Sequence, residues 1–216
     1  MKKILLLLLL VLFTLSIGAN ENWIYSGFEY SKIFETASFE GIGSERELSS
    51  IGANISGYSF SDFSSGGFFF HSSILFPYHM KLTNGDEVIS LGRKDVVYNY
   101  LFSLMAGPAF KTSSNRVMQM YGGLGLHGSA LLVGMGSAYY GEYVSQKTFN
   151  VGVGMDLAGK VNFTPNFYFS LGAMGVWDFY NYTELRVNGY SAETEFDKFR
   201  TFVINPFACF GFSWES

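Results

Sequence analysis

The stretch KTFNVGVGMDLAGKVNF, from Lys147 to Phe163, alternates in character at every step. Phe149, Val151, Val153, Met155, Leu157, Gly159, Val161 and Phe163 share one parity. Thr148, Asn150, Gly152, Gly154, Asp156, Ala158, Lys160 and Asn162 share the other. Successive side chains on a strand point to opposite faces, so these residues form a strand with a greasy side and a small, polar side. The turn Thr164-Pro165-Asn166 follows. The pattern then resumes with Phe167, Phe169, Leu171, Ala173, Gly175, Trp177 and Phe179 on one face.

The same period runs outward from this pair in both directions. It predicts strands over about 23–32, 51–60, 68–76, 96–110, 117–130 and 200–214, which makes eight in all. Their greasy faces carry Ile24, Phe28 and Tyr30; Phe68, Phe70, Ile74 and Phe76; Val96, Tyr98, Tyr100, Phe102, Leu104 and Phe110; Met118, Met120, Leu124 and Leu126; Phe202, Ile204, Ala208, Phe210, Phe212 and Trp214. In the second strand, Ile51, Ala53 and Ile55 lie on one parity while Tyr58 and Phe60 lie on the other. A bulge near Ser56-Gly57 is expected to turn both sets outward.

Composition says where the greasy faces point. The chain of 216 residues is 48% hydrophobic and 19% aromatic but only 15% charged, against about 25% charged in soluble domains. No stretch after the first residues offers the roughly 18 apolar residues of a spanning helix. Strands solve the problem, because only every second residue meets lipid and a closed ring leaves no backbone group unpaired. Short connections fall near Ser61–Gly67, Lys111–Asn115 and Thr164–Asn166; long ones near Ile33–Ser50, Pro77–Asp95, Leu131–Gln146 and Asn181–Phe199. The fold class expected is all-β, a closed antiparallel transmembrane β-barrel of eight strands with short periplasmic turns and long extracellular loops.

Aromatic residues sort by height as well as by face. Phe60, Phe68, Phe110, Phe163, Phe167, Phe212 and Trp214 stand at the short-turn rim. Tyr30, Phe76, Tyr98, Phe149, Phe179 and Phe202 stand at the long-loop rim. Two girdles bracketing an apolar band match the interfacial preference of aromatic rings.

The N-terminus reads as an export signal over residues 1–19, leaving a barrel domain over 20–216. Lys2 and Lys3 precede the apolar run Ile4 to Leu12, and small residues close it at Gly18-Ala19. Cys209 is the single cysteine, so no disulfide can form within the chain. The net charge of −4 and the lack of a basic cluster exclude a nucleic-acid partner.

Glu29, His71, Asn99, Gln119, His127, Asp156, Lys160, Asp178 and Asn205 fall on the inward parity. An interior of about eight strands is just filled by side chains, so these polar residues are expected to plug the lumen, the alternative being a solute path. Gly123, Gly125 and Gly128 spell G-x-G-x-x-G, but inside a strand, where glycines relieve crowding and bind no dinucleotide. Mixed charges in the long connections (Glu45, Arg46, Glu47; Glu193, Glu195, Asp197, Lys198) read as solvated tips, and Asn84-Gly85 as a turn.

Two resemblances follow from these residues. The closing run Asn205-Pro206-Phe207 to Phe210-Gly211-Phe212-Ser213-Trp214 resembles the last strand of the small eight-stranded outer-membrane proteins, the class containing the outer-membrane protein W and X families. That resemblance implies placement in the cell outer membrane by the barrel assembly machinery, contact with outer-membrane lipids, and binding or passage of small apolar solutes. A structural role, or an adhesin acting on a host protein through the long loops, are the other readings. His127-Gly128-Ser129 is similar to part of the lipid A deacylase motif, which would make His127 a base and Ser129 a nucleophile. Their parity places both inside the barrel, away from acyl chains, so no enzyme activity, cofactor or metal is expected.

Overall fold

The computed structural model describes residues 21–39, 42–61, 65–84, 87–92, 96–112, 118–136, 143–187, 190–194 and 198–215; the expected leader lies outside them. Ten strands form one antiparallel sheet: β1 (Glu21–Phe39), β2 (Ile42–Phe60), β3 (Gly66–Asn84), β4 (Glu87–Gly92), β5 (Val96–Lys111), β6 (Met118–Gly136), β7 (Tyr143–Asn162), β8 (Phe167–Val187), β9 (Tyr190–Thr194) and β10 (Lys198–Glu215). The order β10-β1-β2-β3-β5-β6-β7-β8 closes when β8 pairs with β10. β4 pairs only with the distal part of β3, and β9 only with the distal part of β8. The result is a closed barrel of eight strand positions.

Faces follow parity around the whole ring. Phe28, Ile51, Ile74, Phe102, Leu126, Val153, Trp177 and Phe210 are exposed on the outer wall, while Tyr25, Leu75, Leu101, Asp156 and Val203 are buried inside. Outward positions between the two aromatic girdles carry no charge among the described residues. An apolar exterior over a polar and aromatic interior is the arrangement of a transmembrane barrel.

Two expectations are corrected, and a third finding follows. The bulge near Ser56-Gly57 does not form: β2 pairs residue for residue with β3 from Phe60↔Gly67 to Ser50↔Pro77. Parity therefore carries straight through, and Tyr58 and Phe60 turn inward, 2% and 0% exposed. Phe60 thus leaves the girdle. Interior aromatic partners and a carboxylate outweigh the lipid contact that a bulge would have provided. Phe149, Phe163, Phe179, Phe212 and Trp214 are exposed and Phe167 half-buried on the outer wall, as the girdles require. The side chain of Tyr98 lies outside the described residues.

The second correction concerns length. Much of what reads as long loops is strand, because ladders run on to Phe39↔Ile42, Asn84↔Glu87, Gly136↔Tyr143 and Val187↔Tyr190. Bulges do occur, but above the apolar band: the β2–β3 register skips Tyr78, and the β7–β8 register skips Phe179. Each switches the parity of one strand, so that Met80 and Thr183 point inward above it. The alternating greasy pattern breaks at those points, which hid the continuing strand. The side chains of Asn84, Glu193, Glu195, Asp197 and Lys198 lie outside the described residues.

The third finding accounts for proline within a closed ladder. Pro206 keeps its place opposite Ala173 of β8, but the β1–β10 ladder skips from Glu29↔Phe207 to Lys32↔Ile204. Pro108 likewise pairs with Phe68 of β3, while the β5–β6 ladder skips from Ala106↔Leu126 to Ala109↔Gly123. Each proline lacks one donor and opens one seam for two residues, leaving the other seam intact.

Candidate functional site

The interior is built in tiers, each set by the inward parity of several strands. At the short-turn end lies an aromatic plate. Trp23 meets Phe60 at 4.9 Å and Tyr121 at 5.1 Å between ring centroids, and Tyr58 meets Tyr121 at 4.7 Å and Phe69 at 5.5 Å. Lys160 lies over Trp23 with its Nζ 3.4 Å from the ring centroid, and Lys111 and Lys160 both face Glu21. The cation–π contact and the carboxylate share the work of holding a buried ammonium, which neither would do alone in so apolar a place. Gln119 donates to the Thr112 carbonyl at this same end.

Above the plate lies a carboxylate tier. Glu29 receives hydrogen bonds from His71 Nε2 (2.8 Å), Asn54 Nδ2 (3.0 Å) and Asn205 Nδ2 (2.7 Å). His71 Nδ1 completes the array with Ser56 Oγ at 2.8 Å. Asp156 accepts from Tyr58 at 2.7 Å and Tyr25 at 3.4 Å. A second array stands closer to the long hairpins: His127 Nδ1 donates to Asp178 Oδ1 at 2.7 Å, and its Nε2 is 2.9 Å from Ser103 Oγ. Asn99 donates to the Pro77 carbonyl at 3.2 Å.

Ser103–His127–Asp178 and Ser56–His71–Glu29 both have the hydrogen-bond order of a base-activated hydroxyl. The sequence motif pairs His127 with Ser129, but Ser129 instead accepts from Asn150 at 3.3 Å. The cross-strand partner Ser103 was invisible in a local motif, since it stands 24 residues away. Ser56 and Ser103 are 0% and 6% exposed, within a wall that faces lipid only through its other side. Both hydroxyls lie inside the wall, where the two arrays keep buried acids and imidazoles paired.

A different feature marks the outer wall. A shallow apolar groove of about 830 Å³ crosses β5 to β10 at mid-height, bordered by Leu124, Leu126, Val153, Met155, Trp177 and Phe202. Its floor is shallowly covered, because the outward positions there hold only the small residues Ala106, Pro108 and Gly175, between the inward glycines Gly107, Gly125 and Gly154. Gly125 and Gly154 are direct ladder partners. At Gly107 a Cβ would stand 2.1 Å from the Leu124 carbonyl oxygen, so only glycine allows this approach. The seam opened by Pro108 runs through the same floor.

No family model matches the chain, and no curated protein matches it in sequence. Solved structures do match its fold. The outer membrane protein OprG from Pseudomonas aeruginosa superposes with a TM-score of 0.64 at 14% identity, over 92% of this chain and 98% of that one. Ail, the attachment invasion locus protein of Yersinia pestis, gives 0.50 at 15% identity, over 91% and 99%. The outer membrane protease OmpT from Escherichia coli gives 0.50 at 9% identity, over 92% and 97%. The chain therefore has the fold of bacterial outer-membrane β-barrels, a fold that a protease shares.

Proposed function

We propose that the protein is a non-enzymatic barrel of the bacterial outer membrane that binds small apolar molecules in the groove of its wall. The groove itself carries the reading. Its borders are apolar, its floor carries only small side chains and backbone, and it offers the volume range of a small-molecule site. Among the described residues, the buried apolar side chains of the interior form one packed cluster. Export behind residues 1–19 and insertion by the barrel assembly machinery belong to the same reading.

Gly175 provides the test. It sits at the groove edge, and a Cβ there would meet nothing within 4 Å, so a large side chain fits without disturbing the wall. Trp177 reports on the groove, while Trp23 is buried in the plate and Trp214 stands at the far rim. Naphthalene added to the protein in bilayers is expected to quench Trp177 with saturation, and Gly175→Phe to abolish the saturating part. Quenching that rises linearly in both proteins would mean that the probe only partitions into lipid.

A second reading rests on the hairpins. Four of them continue as paired ladders above the outer girdle and lift residues such as Tyr190, 85% exposed, clear of the apolar band. Rigid, elevated edges suit an adhesin. Binding of expressing cells to host surfaces, lost on shortening the hairpins, would favour this reading over the groove.

A further inference from the structure

Among the described residues nine buried side-chain polar atoms find no hydrogen-bond partner in the protein; besides Arg46 Nε, Asn99 Oδ1 and Asp156 Oδ1 they are Ser31 Oγ, Ser50 Oγ, Ser73 Oγ, Thr201 Oγ1, Asn205 Oδ1 and Asp178 Oδ2. The residues of the last six are 0–3% exposed. Native proteins leave few such groups per hundred residues, because each is destabilising when dry. These six are also neighbours. Ser31 faces Ser50 across β1–β2, and Thr201 faces Asp178 across β10–β8. Ser73 faces Asn54 across β3–β2. Asn205 stands opposite Ser31 where Pro206 opens the β1–β10 seam, so backbone groups lose their ladder there too. These six line one sector of the wall, β8-β10-β1-β2-β3.

We propose that this sector bounds a closed chamber holding a cluster of water molecules, which joins the Glu29–His71 pair to the His127–Asp178 pair in one hydrogen-bond network. The lining chemistry selects the guest. Asn205 Oδ1 and Asp178 Oδ2 only accept, so the guest must donate; the four hydroxyls do both, so it must also accept. The carboxylates of Asp178 and Glu29 repel an anion. The residues that carry these six atoms are at most 3% exposed, so a guest much larger than water does not reach them. Water meets every condition, and it needs two to four polar partners per molecule, which the cluster provides. Asn205 links the chamber to Glu29 through its Nδ2, and Asp178 links it to His127 through its Oδ1. Both ends of the network are thereby in contact with the same guest.

The sign of a stability change tests this. Ser31→Ala, Ser50→Ala and Thr201→Val remove hydroxyls while leaving the wall intact. If water satisfies them, each replacement lowers the urea midpoint of the full-length protein in bilayers. If the hydroxyls are dry, each replacement raises it, shifting the folding ratio by roughly fivefold or more. Water-edited solid-state NMR of the unsubstituted protein gives a second answer that needs no variant. Signals of Ser31, Ser50 and Thr201 are expected to build up early, like those of the solvated hairpins. Build-up as late as that of lipid-facing Val153, or a raised midpoint, overturns the proposal.

Discussion

Tyr58 shows how a single residue locates the division between inside and outside. It is 2% exposed, packs between Trp23, Phe69 and Tyr121, and donates to Asp156 at 2.7 Å. A hydrogen bond to a buried carboxylate contributes about 1.5–3 kcal/mol, and the acceptor left behind has only the longer bond from Tyr25. Tyr58→Phe keeps the ring and removes the hydroxyl, so it is expected to destabilise the barrel by about that amount. The measurement is urea unfolding of the reconstituted protein. A variant as stable as the parent would place Tyr58 on the lipid side after all. Parity alone pointed to the interior here; the expected bulge came from treating every aromatic residue as a girdle residue. Nothing in the local sequence tells Tyr58 that its acceptor lies 98 positions away. The same holds for Ser103 and His127, whose pairing is a matter of strand register, whereas Glu29, His71, Asp156 and Asp178 were recognisable from parity because a charge on that face has nowhere else to go.

At the level of the strand, alternation was legible wherever lipid lies on one side. Lipid punishes each polar residue on the outer face, so β7 and β8 show an unbroken pattern from girdle to girdle. Above the outer girdle that pressure ends. Outward positions there hold Lys32, Glu47, Lys81, Lys147 and Arg186, and pairing continues without a hydrophobic signature. This is why the hairpins read as loops. The contrast gives a prediction along a single element. Val153 lies at mid-height of β7 on the outer wall, and Lys147 lies on the same face beyond Phe149, where it reaches Glu184 at 3.7 Å. Val153→Arg should cost about 2–4 kcal/mol in bilayers, since an arginine at the midplane meets hydrocarbon. Lys147→Ala should change stability by less than about 1 kcal/mol, as for an exposed ion pair. Equal effects at the two positions would mean that the apolar band does not span the height assigned to it.

For the molecule as a whole, the question is whether the barrel is a pore. Three barriers lie in series along its axis. The aromatic plate is closed by Trp23, Tyr58, Phe60, Tyr121 and Tyr168, all 2% exposed or less. The carboxylate tier crosses the middle with mutually bonded side chains. Apolar residues such as Leu48, Leu131 and Val133 close the end nearest the hairpins. A barrel of eight strands has an interior only wide enough for such side chains, so a continuous aqueous path would require all three tiers to retract together. The protein reconstituted in a planar bilayer is therefore expected to show no steady conductance. Trp23→Ala should not create one, because two barriers remain after one ring is removed, although it should cost about 3–5 kcal/mol as a large cavity in a packed interior. Discrete channel openings in the unsubstituted protein would refute the sealed interior, and openings in Trp23→Ala alone would show that the plate is the whole barrier. A sealed interior also fits a guest that arrives through lipid at the outer wall, since the groove between Leu124 and Trp177 can be reached without any path along the axis.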